Sequence, residues 1–273
     1  IVTKGMRRRF NGIESDILVN KLSQDETVID EIAAKDKGIA NQCRYISHTA
    51  RYPVYKNTDV EYYAEADISF AAQIEELKKA EHFIFMEYHA IEDALSFERL
   101  KKVLIEKAQS GVEVRIFYDD LGSIFFLNKE FIKRMREQGI QCRVFNPLKV
   151  VVNMFMNNRD HRKITVIDGR VGFTGGYNLA DEDFPYGYWK DTGIKLTGDA
   201  VRSLTASFLT MWNAIDHTDS QADYDKYLDA ADNTYKAVDS ECYVQPYSDN
   251  PLGQDRIGED VYLNILKNAN DYV

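Results

Sequence analysis

Asp160-His161-Arg162-Lys163-Ile164-Thr165-Val166-Ile167-Asp168-Gly169, followed by Gly175-Gly176-Tyr177-Asn178, reads H-x-K-x4-D and then G-G-x-N. His161 and Lys163 are two residues apart. Alternate side chains of a strand share a face, so imidazole and ammonium point at the same place. A nucleophilic nitrogen beside a cation suits a phosphodiester, whose non-bridging oxygens the cation can hold. Asp-Gly between two apolar runs is a strong type I′ hairpin signal and joins strands 162–168 and 170–174.

Around this centre the chain alternates between two periodicities. Phe70, Ile74 and Leu77 fall at helical spacing. His82 to Tyr88 is a short apolar run that reads as a buried strand. Phe97, Leu100, Val103, Leu104 and Ala108 mark an amphipathic helix closed by Gly111. Val112 to Tyr118 reads as a strand, Phe131 to Met135 as a helix, Ile140 to Phe145 as a third strand. Thr192 to Leu196 adds one more, and Val201 to Ile215 is a long amphipathic helix. Residues 1–55 show weak periodicity, with one expected helix over Asp16 to Ala34. Residues 217–240 read as a polar linker and Glu241 to Gln245 as a short strand. The expected fold is α/β, a mixed sheet with helices on both faces.

Composition bounds the class. The 273 residues are 44% hydrophobic and 12% aromatic, enough for a substantial core. Net charge −10 argues against a nucleic-acid partner, which usually meets a basic footprint. Cys43, Cys142 and Cys242 fit no metal or disulfide pattern. No run is apolar enough to span a bilayer; His82 to Ile91 is too short and contains Glu87. No signal peptide is expected.

The motif resembles the phospholipase D superfamily. Glu87-Tyr88, Asp119-Asp120-Leu121-Gly122-Ser123, Asn158 to Lys163, Gly175 to Glu182 and Trp189-Lys190-Asp191-Thr192 look like its bacterial cardiolipin synthase branch, from about Lys56 to the C-terminus. The resemblance implies that His161 is a nucleophile forming a phosphohistidine, and that Lys163 and Asn178 hold phosphoryl oxygens. No cofactor or metal is implied. Members carry two such motifs, one per half, the second histidine serving as general acid. Here the motif occurs once; His217 has no lysine two residues on. The chain therefore reads as 1–55 juxtamembrane or linker segment, 56–216 first catalytic half, 217–240 linker and 241–273 the start of a second half. The implied partners are phosphatidylglycerol, other anionic phospholipid, a membrane surface, the missing second half and a second copy. The implied place is the cytoplasmic face of the bacterial cell membrane, with Lys4, Arg7, Arg8 and Arg9 as a juxtamembrane patch.

Other site residues carry two readings each. Asp168 lies an odd number of residues after His161, so it either takes part in catalysis or fixes the hairpin. A nucleophilic imidazole needs its second nitrogen anchored, and the resemblance assigns that to Asp191. Glu87 either borders the site or pairs with a buried base. Gly175 and Gly176 leave room for backbone to approach phosphate. Tyr118 and Asp119 end a strand, where ligands bind in α/β sheets, or serve a turn. Phe125, Phe126, Met154 and Phe155 either contact acyl chains or bury. Two other readings stay open: a hydrolytic phosphodiesterase or nuclease built from two copies, and a non-catalytic membrane-binding module.

Overall fold

The apolar run after His82 becomes a strand buried on both faces, β2 (Phe83–Tyr88), near the middle of a seven-stranded sheet. The computed structural model describes residues 2–128, 130–148, 157–183, 190–216, 220–229, 240–253, 255–269 and 272–273. The other strands are β1 (Thr58–Tyr63), β3 (Glu113–Asp119), β4 (Gln141–Phe145), β5 (Lys163–Ile167), β6 (Val171–Gly175) and β7 (Gly193–Gly198). Their order is β1-β7-β6-β5-β2-β3-β4. β2, β3 and β4 are parallel, while β5 runs antiparallel to β2 and begins a meander through β6 to β7. The sheet is therefore mixed, with its parallel part confined to three strands.

Helix α4 (Ala66–Leu77) precedes β2. The parallel crossovers are made by α5 (Leu95–Gln109), then by the short α6 (Asp120–Ser123) with α7 (Phe131–Glu137). Phe70, Ile74 and Leu77 of α4, Leu100 and Leu104 of α5, and Phe131 and Met135 of α7 pack on Ile84, Met86, Tyr88, Val114 and Ile116. The helical spacing of the first group meets the period-two spacing of the second, which is why both patterns were visible in the chain. The opposite face is buried too, with Phe85, Phe117 and Val166 inaccessible.

The chain divides into two compact units: Ile1–Lys4 with Val60–Thr197, and Gly5–Asp59 with Gly198–Val273. The first holds the sheet. The second contains α1 (Lys4–Asn20), α2 (Glu26–Lys35), α3 (Lys37–Thr49), α8 (Val201–Ile215), α9 (Ser220–Tyr224), one π-helical turn and α10 (Ile257–Lys267). This corrects two expectations. Residues 1–55, expected to hold one helix over Asp16 to Ala34, carry α1, α2 and α3 instead: Asp25 caps α2 through Thr27 N and Asp36 caps α3 through Gly38 N and Ile39 N. Val28, Ile29, Ile32, Ala40, Cys43 and Val54 form their own small core. Nor does the sheet's unit reach residue 216. Helix α8 belongs with the second unit, where Ser203 Oγ lies 3.0 Å from Tyr55 OH and Arg202 donates to the Lys21 carbonyl. Glu241 to Gln245 is reduced to one bridge, Val244 with Tyr55.

Two arginines of the basic cluster are also engaged. Arg7 Nε donates to the Leu252 carbonyl at 3.1 Å and Arg9 to that of Ala214 at 3.1 Å, within the second unit.

Candidate active site

Residues 160–163 lead into β5 at the end of the sheet where β2 and β3 finish; Lys163 pairs with Tyr88, the last residue of β2. Alternation sorts this segment. His161 and Lys163 lie to one side, Asp160 and Arg162 to the other.

On the first side, Lys163 is 5% exposed, and its Nζ donates to the His161 carbonyl at 2.8 Å. The same atom stands 3.1 Å from His161 Nδ1 and 3.2 Å from Nε2. Burial brings the ammonium's pKa down to about 8, against the opposing pull of Asp160, Asp183 and Asp191. The exposed His161 is held below its ordinary 6.5, first by partial desolvation, then by Lys163 and by His89. The imidazole is therefore neutral, and able to act as a nucleophile, while the lysine beside it is still charged.

His89 is a neighbour of His161 that the sequence reading missed. Its ring centroid lies 4.7 Å from that of His161. Its Nδ1 is 2.7 Å from the carbonyl oxygen of Asp160, which can only accept, so Nδ1 carries the hydrogen. A side chain at Gly122 would collide with the His89 carbonyl and stand 2.8 Å from Nε2. Only glycine lets α6 lie this close. Nothing in the spacing of His89 pointed to His161; only its place just after a strand could have.

On the other side, Arg162 Nη2 meets Glu87 Oε1 at 2.5 Å, and its Nε meets Asp160 Oδ1 at 3.3 Å. Both carboxylates are fully buried. Burial, and then Asp160 as a like charge, lifts the Glu87 pKa well above 4.5 despite the guanidinium. Of its two readings, Glu87 takes the pairing one. Asp119, also fully buried, accepts from Asp160 N (2.9 Å), Leu121 N (2.9 Å) and Arg159 (3.1 Å). It holds the entry to β5.

Three expectations change. Asp191 does not anchor His161, whose ring nitrogens face Lys163. Asp191 instead pairs with Asp183, whose pKa rises to about 6 through burial and this like-charged neighbour. Tyr118 does not border the site: through Tyr88 it shares the sheet face of Lys163, but it is buried in the helix-covered core, edge-on to Phe131 at 5.9 Å. Of its two readings, Asp168 takes the hairpin one and loses the catalytic one. It sits at the far end of β5 with φ +52°, and Gly169 follows at φ +65°, a type I′ pair. Its carboxylate accepts from the N–H groups of Glu81, His82 and Phe83, each at 2.8 Å, tying the hairpin to the start of β2. Asp168→Ala is expected to cost about 2 kcal/mol in urea unfolding, from lost charge-assisted bonds and the left-handed backbone. The His161 resonances should stay where they are.

Asn178 accepts from Ala90 N at 3.2 Å, and its own N–H donates to Asp183 at 3.1 Å. A side chain on Gly175 would strike the Thr192 carbonyl, and one on Gly176 the Asp191 carboxylate. These glycines are required by the approach of the segment before β7. Trp189, Met154, Phe155 and His217 lie outside the described residues.

Residues 73–212 match the family described as cardiolipin synthase, phospholipase D-like domain. An uncharacterized Streptococcus mutans protein is 39% identical over 253 residues, covering 91% of this chain and 54% of its own length. A cardiolipin synthase of Oceanobacillus iheyensis is 32% identical over 222 residues, 80% of this chain and 45% of that protein. One from a Geobacillus strain is 39% identical over 165 residues, 59% of this chain and 33% of that protein. The chain thus spans about half or less of the curated relatives it matches. With the family match running through β2, the His161–Lys163 pair and the segment to Asp191, the chain belongs to the cardiolipin synthase, phospholipase D-like domain family.

Proposed function

We propose that this chain supplies one half of the active site of a phosphatidyltransferase that converts two phosphatidylglycerols to cardiolipin and glycerol. The observation that carries the reading is Lys163 Nζ poised 3.1 Å from the ring of an exposed His161. In the first step an imidazole nitrogen attacks phosphorus. The bond to the glycerol oxygen breaks, and that oxygen takes a proton from a general acid. In the second, the hydroxyl of another phosphatidylglycerol attacks the phosphohistidine, the P–N bond breaks, and the hydroxyl proton goes to the same group acting as base. Lys163 steadies the phosphoryl oxygens as their charge sharpens. Glu87, Arg162, Asp160 and Asp119 fix the segment that bears the nucleophile.

His89 is too close to His161 to be that acid, since phosphorus must lie between nucleophile and leaving oxygen. The acid comes from a second motif, in the rest of a longer chain or in another copy. The enzyme works at the cytoplasmic face of the cell membrane; among the described residues no helix is long and apolar enough to cross one.

The test is covalent trapping. The chain, with a second motif supplied and mixed with phosphatidylglycerol labelled at phosphorus, should acquire an acid-labile, alkali-stable label, absent from His161→Asn. A label retained in that variant would refute the nucleophile. Release to phosphatidic acid rather than to cardiolipin, with a second motif supplied, would favour the hydrolytic reading.

A further inference from the structure

Large apolar side chains stand exposed on the same end of the sheet as His161. In the sheet's unit, among the described residues, Phe125 is 94% exposed, Leu95 65%, Leu121 44% and Ile124 41%. Val60, Tyr62 and Ile68 are the others and lie elsewhere, on β1 and α4. Scattered exposed apolar residues are normal in soluble proteins; a group gathered at one place is not.

The group is tied to the site by backbone. Gly122, between Leu121 and Ile124, lies against His89. Ser123 Oγ accepts from Ile91 N at 3.0 Å, fastening α6 to the segment that follows β2. On the other flank Ser96 N donates to Asp181 at 2.8 Å, which places Leu95 beside the segment carrying Asn178 and Asp183.

We infer that Leu95, Leu121, Ile124 and Phe125 form a wedge that enters the acyl-chain layer of a phospholipid bilayer and brings the phosphodiester to His161. The inference rests on the lipid reading above and names the surface that serves it. A phospholipid phosphate held at Lys163 carries its ester-linked chains only a few bonds away, so apolar groups are needed beside the cation. Charge does not supply the attachment: the chain has net charge −10, and on the Leu95 flank Lys101 and Arg134 are already paired with Asp93. Adhesion then comes from apolar insertion, which salt does not screen.

The experiment is cosedimentation of the whole chain with phosphatidylcholine vesicles and with mixed phosphatidylcholine–phosphatidylglycerol vesicles, at low and high salt. Binding is expected to both and to persist at high salt. Leu121→Asp/Phe125→Asp should weaken it at least about tenfold, since two buried side chains are lost. Leu95→Asp, from the opposite flank, should weaken it separately. Thermal melting should not change in these surface variants. No binding by the wild type, release by salt, or equal binding by the variants would overturn the wedge. So would variants that abolish self-association in light scattering yet still bind vesicles, since the occupant would then be a second copy. Covalent labelling separates the two readings. Aspartate variants that still take label from a short-chain, monomerically dissolved phosphodiester leave the nucleophile intact while failing on vesicles. His161→Asn should bind vesicles normally.

Discussion

Arg162→Met is expected to destabilise the chain by about 3–5 kcal/mol, the usual cost of stripping one partner from buried opposite charges. Glu87 and Asp160 are fully buried, and the guanidinium stands between them. Without it, two carboxylates face each other in a low dielectric. The loss should depend on pH. The Glu87 pKa is raised in the folded state, so its favourable contribution is complete below 4.5 and disappears as pH rises through the folded value. Urea unfolding of Arg162→Met should therefore show its smallest deficit in acid and a growing one toward neutrality. Glu87→Gln in the same background should recover part of the loss and flatten that slope. A deficit that does not change with pH would show that the guanidinium does not act on the ionisation of Glu87.

The physical reason this cluster was hard to read lies in its geometry. Glu87 sat in an apolar run, which announced that a partner was needed but not which one. Its partner lies 75 residues away in sequence, and is selected by the antiparallel register of β2 and β5. Alternation alone then put Arg162 on the Glu87 side and Lys163 on the other. The same alternation made the His161–Lys163 pairing legible, because it needed only local strand geometry. Tyr118 shows the limit. A residue at the end of a parallel strand is near the ligand end of the sheet, and Tyr118 even shares the Lys163 face, yet helices cover it and it is buried in the core. Asp191 shows another. A carboxylate near the site can be held by its own neighbour, here Asp183, and never reach the imidazole. Helices α1 to α3 were obscured because each is mixed in charge and weak in apolar periodicity. Their caps, Asp25 and Asp36, were the signal to look for.

Removing the Lys163 ammonium should have the largest effect on chemistry that leaves the nucleophile in place. Lys163→Met is expected to slow covalent labelling of His161 by about 10²–10³-fold, the range for loss of one pre-set donor to a developing oxyanion. The pH profile gives the sharper check. In the wild type, labelling should rise as His161 loses its proton below 6.5, because the neutral imidazole is the nucleophile. It should fall again as Lys163 loses its charge near about 8. The optimum lies between these limits, with each limb belonging to a different residue. Lys163→Met should lack the alkaline limb. Its acid limb should begin at higher pH, since a neighbouring positive charge no longer opposes protonation of His161. Lys163→Arg keeps a charge that does not titrate in this range, so its alkaline limb should also vanish. Its rate should recover only in part, because a planar guanidinium cannot repeat the compact contact with the His161 carbonyl at 2.8 Å. An alkaline limb that survives unchanged in Lys163→Met would mean that another group titrates near 8, and that the lysine beside His161 is not the phosphoryl clamp.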